Sequence, residues 1–119
     1  MGEGGCKIFV MSKYIVVYVT VPSADEGEKL ANALVEERLA ACVNRLGPVQ
    51  STYWWQGKVE RGEEQLLVIK TREDLFDRLK AKVQELHSYT VPEVIALPIL
   101  KGSESYLHWM DEELAKAKK

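Results

Sequence analysis

Cysteine and histidine are scarce in this sequence, with two of each among 119 residues. Cys6 and Cys42 lie far apart and form no C-x-x-C pair, so a secreted disulfide framework is not predicted. Free thiols are typical of a reducing compartment, and we therefore expect a cytoplasmic protein. No apolar run approaches the ~20 residues that a membrane span requires, so we predict no membrane association.

The chain also lacks a strong charge of either sign, since it has 16 basic and 18 acidic residues and a net charge of −2. A nucleic-acid-binding protein needs a basic surface to displace counterions, so we predict no nucleic-acid partner. The length and the apolar content of 46% predict one domain with one core, which we place at residues 14–119. Residues 1–13 are interpreted as a flexible N-terminal extension or as the remnant of an organellar targeting sequence.

Apolar periodicity and turn signals predict the order strand, helix, strand, strand, helix, strand, helix. Residues 14–21 are apolar at both parities, as in a strand that is buried on both faces. Ser23 and Glu26 form a capping box for a first helix that ends near Ala41. A second helix begins after a cap at residues 71–74 and closes at His87 and Tyr89. Its inward-facing residues are Leu75, Phe76, Leu79, Val83 and Leu86. A strand at residues 94–100 and a helix at 103–118 complete the order.

Residues 42–71 are predicted to form one long β-hairpin with Gln56-Gly57 at its turn. Arms of this length span roughly 40 Å, which exceeds the width of a domain of this size. The hairpin should therefore project from the domain and expose the three consecutive aromatic residues before the turn, Tyr53, Trp54 and Trp55. Because aromatic side chains are enriched at interface centres, we interpret these three as assembly surface rather than as a substrate-stacking site.

The element order predicts an α+β ferredoxin-like fold, a split βαβ sandwich with an antiparallel sheet and an additional C-terminal helix. In this fold the first and third strands are central. Pro48 and Pro98 fall in the second and fourth strands, where edge positions tolerate proline. Central strands that are apolar on both faces also imply that the face without helices is covered, and we expect a homo-oligomer to cover it.

Residue chemistry alone favours a binding protein over an enzyme. The loop after the first strand, TVPSADE, has neither the cysteines of a metal-chaperone domain nor the glycines and arginine of an acylphosphatase loop. The third strand ends in LLVIKT, which lacks the aromatic and basic residues of an RNA-recognition domain. We find no nucleophile–base pair, phosphate-binding loop or complete metal motif in the sequence.

Three positions leave alternatives open. Cys42 is either a small buried apolar residue or a soft ligand for copper. His87 is either a histidine favoured by a helix C-terminus or a ligand beside Tyr89 and Glu93. One cysteine and one histidine do not close a tetrahedral metal site, so Glu93, water or a neighbouring subunit would have to complete it. Lys70 and Thr71 either emerge into solvent or line a cleft shared with His87 and Glu93.

From residue 14 to about residue 110, the chain resembles the CutA family of divalent-cation tolerance proteins. The resemblance rests on these residues: Thr20, Pro22, Leu39, Ala40, Ala41, Cys42, Val43, Asn44, Ser51, Tyr53, Trp55, Gly57, Lys58, Lys70, Thr71, His87, Tyr89, Pro92, Glu93, Pro98, Ile99, Gly102, Tyr106 and Trp109. It implies a ferredoxin-like homotrimer akin to the PII signal proteins and an association with copper and other divalent cations. It also implies that Cys42 and His87 are tied to metal. The implied cleft between subunits is lined by Tyr53, Trp55, Lys70, Tyr89 and Glu93.

Two positions depart from the family pattern. Val19 stands where some members carry a second cysteine, and Ser88 follows the histidine where proline is usual. The resemblance therefore leads us to expect a trimeric protein of metal-ion tolerance that binds copper or another divalent cation through Cys42, His87 and Glu93. The alternative is a PII-like signalling or scaffold trimer that binds a small anion or a protein partner in its clefts.

Overall fold

The computed structural model describes residues 13–116. The expected extension therefore lies outside the described residues except for Lys13, and so does Cys6. The strands are β1 (Tyr14–Val21), β2 (Cys42–Trp55), β3 (Lys58–Arg72) and β4 (Ile95–Pro98). The helices are α1 (Ala24–Glu36), α2 (Phe76–Leu86) and α3 (Glu104–Leu114), and a short 3-10 turn (Glu73–Leu75) precedes α2. No helix in this part of the chain is long and apolar enough to cross a membrane.

The four strands form one antiparallel sheet in the order β2-β3-β1-β4. The first and third strands are central and the two proline-containing strands are at the edges, as predicted. The α+β ferredoxin-like prediction is confirmed. The two prolines predicted the edge strands correctly because a central strand needs its backbone N–H groups for hydrogen bonds on both sides, and proline has no N–H.

The two faces of the sheet differ in burial. Ile15, Val17, Val19 and Val21 alternate along β1 and are at most 5% exposed, because they pack against α1 and α2. The opposite side, which we call the open face, is only partly covered. It carries Val16, Tyr18 and Thr20 of β1, Leu66, Val68 and Lys70 of β3, Cys42, Asn44 and Leu46 of β2, and Ile95 and Leu97 of β4. Leu46, Ile95 and Leu97 are each more than 40% exposed.

The hairpin of β2 and β3 projects beyond the sheet. Pairing between β3 and β1 begins at Gln65, so residues 58–64 of β3 pair only with β2. At the usual rise per residue, this outer hairpin is roughly 24 Å long. Gln56 and Gly57 both have positive φ, as a type I′ turn requires, and a register shift between Leu46 and Val49 accommodates Pro48. The predicted turn is therefore confirmed.

Helix α3 covers only the end of the open face where β1 begins. Met110 and Leu114 are fully buried against Leu75, with Tyr14 and Ala41 packed around them. Asp111, on the same helix, accepts hydrogen bonds from the Tyr14 hydroxyl at 2.8 Å and from Lys13 at 3.2 Å. Arg72 donates a third hydrogen bond to Asp111, at 3.4 Å, and we call these three bonds the Asp111 anchor. Within residues 13–116, no helix lies over the rest of the open face.

Several predicted boundaries were wrong. Helix α1 ends at Glu36 rather than near Ala41, because Arg38 turns into the left-handed region with φ of 61°. Residues 71–74 do not cap α2. Thr71 belongs to β3, where it is buried and donates to the Leu39 carbonyl at 2.7 Å. Strand β4 and helix α3 are shorter than predicted, and the predicted helix end at Lys118 lies outside the described residues.

Two residues assigned to inward-facing or closing positions also behave differently. Leu86 was predicted to face inward from α2, but it is 43% exposed. His87 does terminate α2, since its backbone N–H donates to the Val83 carbonyl. Tyr89, however, lies beyond the helix, in the loop of residues 87–94 that leads to β4.

Candidate functional site

A cleft of about 890 Å³ lies between the outer hairpin and the loop that follows α2. The hairpin contributes Tyr53, Trp54, Trp55 and Glu64 to its lining. The loop contributes residues 88–93, and Thr20 at the end of β1 forms part of the lining. We call this feature the hairpin cleft. Its hairpin wall continues the open face, because Glu64 follows Leu66 and Val68 at alternate positions along β3.

Glu64 and Tyr89 join the two walls of the hairpin cleft. The Tyr89 hydroxyl donates to Glu64 Oε2 at 2.9 Å, and only 9% of the Glu64 surface is exposed. Burial and the hydrogen bond to Glu64 raise the pKa of Tyr89 to about 12, so the phenol stays protonated at neutral pH. Burial and the negative charge of Glu64 also raise the pKa of Glu93. The hairpin cleft therefore carries two carboxyl groups in a partly desolvated setting.

His87 lies behind this loop and uses both ring nitrogens within the subunit. Its Nε2 donates to the Thr20 carbonyl at 2.7 Å, and its Nδ1 accepts from the Tyr89 backbone N–H at 3.0 Å. Nε2 is the donor and Nδ1 the acceptor in these bonds, and Glu26 Oε2 also lies 3.3 Å from Nδ1. A metal ion could bind His87 only by displacing one of the two partners. In this structure His87 has the geometry of a residue that positions the loop, and its role as a metal ligand stays a prediction.

Glu26 provides a second tie between α1 and the same loop. Its carboxylate accepts from the Ser88 backbone N–H at 2.9 Å and from the Ser88 hydroxyl at 2.8 Å. The capping box is therefore only half formed: Ser23 Oγ accepts from the Glu26 N–H at 3.2 Å, but the Glu26 side chain turns to the loop. Ser88, at the position where the resemblance leads one to expect proline, supplies two of the donors that hold this loop.

Cys42 lies at the other end of the open face. Its thiol is free and half-buried, and Sγ lies 3.8 Å from Asn44 Oδ1. Lys70 is its register partner on β3 and also bonds to Asn44 Oδ1. Burial, together with the nearby Cys42 thiol, raises the pKa of Tyr106 on α3. The Cys42 side chain is packed but reaches the open face, so it is only partly a buried apolar residue, and its role as a copper ligand stays a prediction.

The structure separates the predicted site residues into two groups within one subunit. Tyr53, Trp55, Tyr89 and Glu93 come together in the hairpin cleft of one subunit. Their place in a cleft between subunits stays a prediction. Cys42 and Lys70 do not join them. Both lie four residues along from Thr20, Cys42 two strands across and Lys70 one strand across, which puts them about 16 Å and about 14 Å away at ordinary strand spacings. The expectation that Cys42 and Lys70 approach His87 and Glu93 is therefore wrong for a single subunit.

Two further predicted positions are placed by the fold. Thr71 was predicted to line a cleft, but its buried hydroxyl faces the helix side and is bonded to Leu39, so this prediction was wrong. Trp54 is 75% exposed and occupies the opposite side of the hairpin ladder from Tyr53 and Trp55. Its role as assembly surface stays a prediction.

Sequence reasoning missed Glu64, Glu26 and Thr20. Alternate residues of β3 lie on the same side of the sheet. Counting back from Leu66 in steps of two therefore places Glu64, and not Glu63, on the open face, and this signal could have identified Glu64. Glu26 and Thr20 carried no such signal, because their partners lie more than 60 residues away. Among residues 13–116, no group of three or more His, Cys, Asp and Glu side chains is positioned to hold a metal ion.

Known proteins resemble this chain along most of its length. Residues 15–113 match the family described as CutA1 divalent ion tolerance protein. The chain is 54% identical over 96 residues to Protein CutA 1, chloroplastic, of Oryza sativa, which is 81% of this chain and 54% of that protein. It is 52% identical over 97 residues to the Divalent-cation tolerance protein CutA of Thermus thermophilus, covering 82% of this chain and 94% of that protein.

Solved structures agree with the sequence matches. The divalent cation tolerance protein of Thermus thermophilus superposes with a TM-score of 0.83 at 50% identity, over 84% of this chain and 97% of that one. CutA1 from Oryza sativa superposes with a TM-score of 0.83 at 51% identity, over 86% of this chain and 94% of that one. The chain spans about half the length of the curated plant relatives that it matches. Because the family match extends over residues 15–113, the chain belongs to the CutA1 divalent ion tolerance protein family.

Proposed function

We propose that this chain acts in divalent-cation tolerance as a homotrimer that binds copper or another divalent cation at sites shared between subunits. Its relatives from Thermus thermophilus and Archaeoglobus fulgidus are named divalent-cation tolerance proteins, and the chain spans more than nine-tenths of each. The proposed activity is binding, without catalysis. Cytoplasmic location is part of the proposal, although two plant relatives are named chloroplastic and one similar structure is described as periplasmic.

The observation that carries the proposal is the open face, which holds a free thiol among partly exposed apolar residues. Cys42 reaches this face at its β2 edge, and the described part of one subunit offers no set of three metal ligands around it. Association through the open face would bring Cys42 to a subunit boundary, where ligands from a neighbour could complete a site. A thiolate suits copper and other thiophilic metals, and Glu93 is the carboxylate we propose as a further ligand.

Copper titration of two cysteine variants tests the metal part of the proposal. We expect Cys42→Ser to lower copper affinity at least about tenfold, because a hydroxyl is a much poorer ligand for copper than a thiolate. Cys6→Ser makes the same chemical change outside the described domain and serves as the matched control. Affinities are measured by competition with a chromophoric chelator under reducing conditions. Equal copper affinity in the wild type and both variants would remove Cys42 from the site.

A second candidate function is that of a PII-like signalling or scaffold trimer, and one observation favours it. Lys70 is half-buried on the open face, and the one hydrogen-bond partner of its ammonium group among the described residues is the Asn44 amide oxygen. No carboxylate in residues 13–116 forms an ion pair with Lys70, so a small anion or an acidic protein partner could supply the counter-charge.

A thermal-shift screen separates the two candidates. If the second function is correct, nucleotides or small carboxylates should raise the melting temperature of the wild type but not of Lys70→Met, which keeps the aliphatic stem. A rise with copper and none with any anion supports the metal function instead.

A further inference from the structure

Cys42 and Lys70 form a thiol–amine pair at the base of the hairpin. They are register partners on β2 and β3, so their side chains lie on the same side of the sheet, with Cβ atoms about 5 Å apart. Both side chains are half-buried on the open face. Because the pairing of two strands within one subunit brings them together, their proximity does not depend on what a neighbouring subunit adds.

Asn44 brings the sulfur and the nitrogen of this pair closer together. Its Oδ1 lies 3.8 Å from Cys42 Sγ and accepts a hydrogen bond from the Lys70 ammonium. Sγ and Nζ are therefore within about 7 Å of each other, the sum of these two contacts at most. The flexible four-carbon stem of lysine can close this gap without movement of the strands.

A thiol and an amine at this separation can be joined by a two-electron oxidation. Hydrogen peroxide oxidises the thiol to a sulfenic acid, and the O–O bond breaks as one oxygen leaves as water. The lone pair of the amine then attacks the sulfenic sulfur, an S–N bond forms, and the sulfenic oxygen leaves as a second water. Thiol, ammonium and hydrogen peroxide thus become a sulfenamide, two waters and one proton, which passes to solvent.

Capture by an amine competes with further oxidation of the sulfur. A sulfenic acid without a partner is oxidised irreversibly to a sulfinic acid. An amine that is held beside it has an effective concentration far above that of any amine in solution. Cys42 is the only cysteine among residues 13–116, so no disulfide can form within this part of one chain. Lys70 is therefore the nucleophile that is placed to trap oxidised Cys42.

We propose that Cys42 and Lys70 form a redox switch in which hydrogen peroxide joins Sγ to Nζ. Two molecules of a small thiol reverse the reaction, because they become a disulfide and restore the thiol and the amine. The cross-link removes the thiol that the proposed metal function uses, so the regulatory role of the switch rests on that function. Formation of the cross-link itself requires no metal.

Mass spectrometry of the metal-free, full-length Cys6→Ser chain tests the switch. Treatment with a small excess of hydrogen peroxide at mildly alkaline pH, where lysine begins to lose its proton, should lower the chain mass by about 2 Da, the mass of two hydrogens. A proteolytic digest should then contain one species that joins the Cys42 and Lys70 peptides. Dithiothreitol should restore the original mass.

Matched lysine variants assign the cross-link to Lys70. Lys70→Arg keeps the positive charge but removes the amine, because a guanidinium does not lose its proton. It should reduce the cross-linked fraction at least about tenfold, and Cys42 should instead gain about 32 or 48 Da as sulfinic or sulfonic acid. Lys58→Arg makes the same change opposite Trp55, at the far end of the hairpin, and should cross-link like the parent chain.

Copper affinity of the same samples separates the switch from the metal function. Cross-linking should weaken copper binding at least about tenfold, and reduction followed by desalting should restore it. A cross-link that leaves copper affinity unchanged would overturn the regulatory role together with the metal role of Cys42. Absence of the cross-link in a chain that loses copper binding on Cys42→Ser would overturn the switch alone.

Three further results would overturn the switch. One is a Cys42 that gains oxygen without a link to Lys70. Another is a Lys70→Arg variant that cross-links as well as the parent chain. The third is a disulfide between the Cys42 residues of two chains in place of the S–N bond.

Discussion

His87 shows how one residue can link three parts of the fold. It terminates α2, donates through Nε2 to the Thr20 carbonyl near the end of β1, and accepts a hydrogen bond from the Tyr89 N–H through Nδ1. Only 8% of its surface is exposed. The Tyr89 ring stands 4.7 Å from the imidazole, centroid to centroid, so the residue that bonds Glu64 is held in place by His87.

Replacement of His87 tests this positioning role at the residue scale. We expect His87→Ala to lower the free energy of unfolding by about 1–3 kcal/mol, because it leaves a buried carbonyl and a backbone N–H without partners. His108→Ala is the matched control, since His108 is exposed on α3 and should change stability by less than about 0.5 kcal/mol. Urea unfolding at one fixed protein concentration gives both values. An unchanged stability with loss of copper binding would make His87 a ligand.

At the scale of helices and strands, the sequence predicted correctly those features that depend on a few neighbouring residues. The Gln56-Gly57 turn, the Ser23 cap and the edge positions of both prolines each depend on a few adjacent residues. The end of α1 was missed because Arg38 adopts a left-handed conformation without the usual glycine, and its side chain is held by Glu113 of α3 at 2.6 Å. That contact joins residues far apart in sequence, which periodicity does not detect.

The hairpin turn provides a test at this scale. Gly57 has φ of +79°, so Gly57→Ala should cost about 1 kcal/mol of stability through backbone strain. Gly62→Ala is the control, because an added Cβ there meets only the Tyr53 hydroxyl, at an ordinary 3.8 Å. Gln56→Asn should instead raise stability by a few tenths of a kcal/mol, since Asn-Gly is the preferred type I′ pair. Thermal unfolding should rank the three variants in stability, with Gln56→Asn highest and Gly57→Ala lowest. Equal stability of the two alanine variants would contradict the proposed strain at Gly57.

Helix α3 depends on the Asp111 anchor, and this makes its docking pH-dependent. Burial would raise the pKa of Asp111, but hydrogen bonds from Tyr14, Lys13 and Arg72 outweigh burial and lower it. A carboxyl whose pKa is lowered by folding stabilises the fold above its unfolded pKa, near 3.9, and loses this contribution as the pH falls through the folded value.

Asp111→Asn should therefore cost about 1 kcal/mol at neutral pH and progressively less as the pH falls below about 4. Glu112→Gln, an exposed change at the next position, is the control and should follow the wild type at every pH. Unfolding free energies from urea titrations between neutral and acidic pH measure the difference. A cost for Asp111→Asn that grows on acidification would refute the role of the anchor.

On the scale of the whole molecule, the candidate site was only partly predictable. The alternation of β2 placed Tyr53 and Trp55 on one side, and the loop after α2 brought Tyr89 and Glu93 to them. The sequence did not indicate that Cys42 and His87 would be separated, because the register between β2, β3 and β1 is set by packing across the sheet. It also cannot show which ligands a neighbouring subunit would add.

The outer hairpin and the open face are the two surfaces that one subunit leaves uncovered. Trp54 and Trp55 are at least half exposed, and Ile95 and Leu97 stand beside Val16 and Tyr18 on the open face. Contiguous apolar surface of this kind is unusual on a soluble monomer. An open face that is covered by neighbouring subunits explains why both central strands carry apolar residues on both sides, and we therefore expect the subunits to associate through this face.

Light scattering coupled to size-exclusion chromatography at micromolar concentration tests this claim most directly. The wild type should have about three times the 13.5 kDa mass of the chain. Val68→Glu, which places a charge in the middle of the open face, should dissociate the assembly. Val35→Glu, the same change at an exposed position on α1, should leave it intact. A wild type at the mass of a single chain, or a Val68→Glu variant with unchanged mass, would contradict the account.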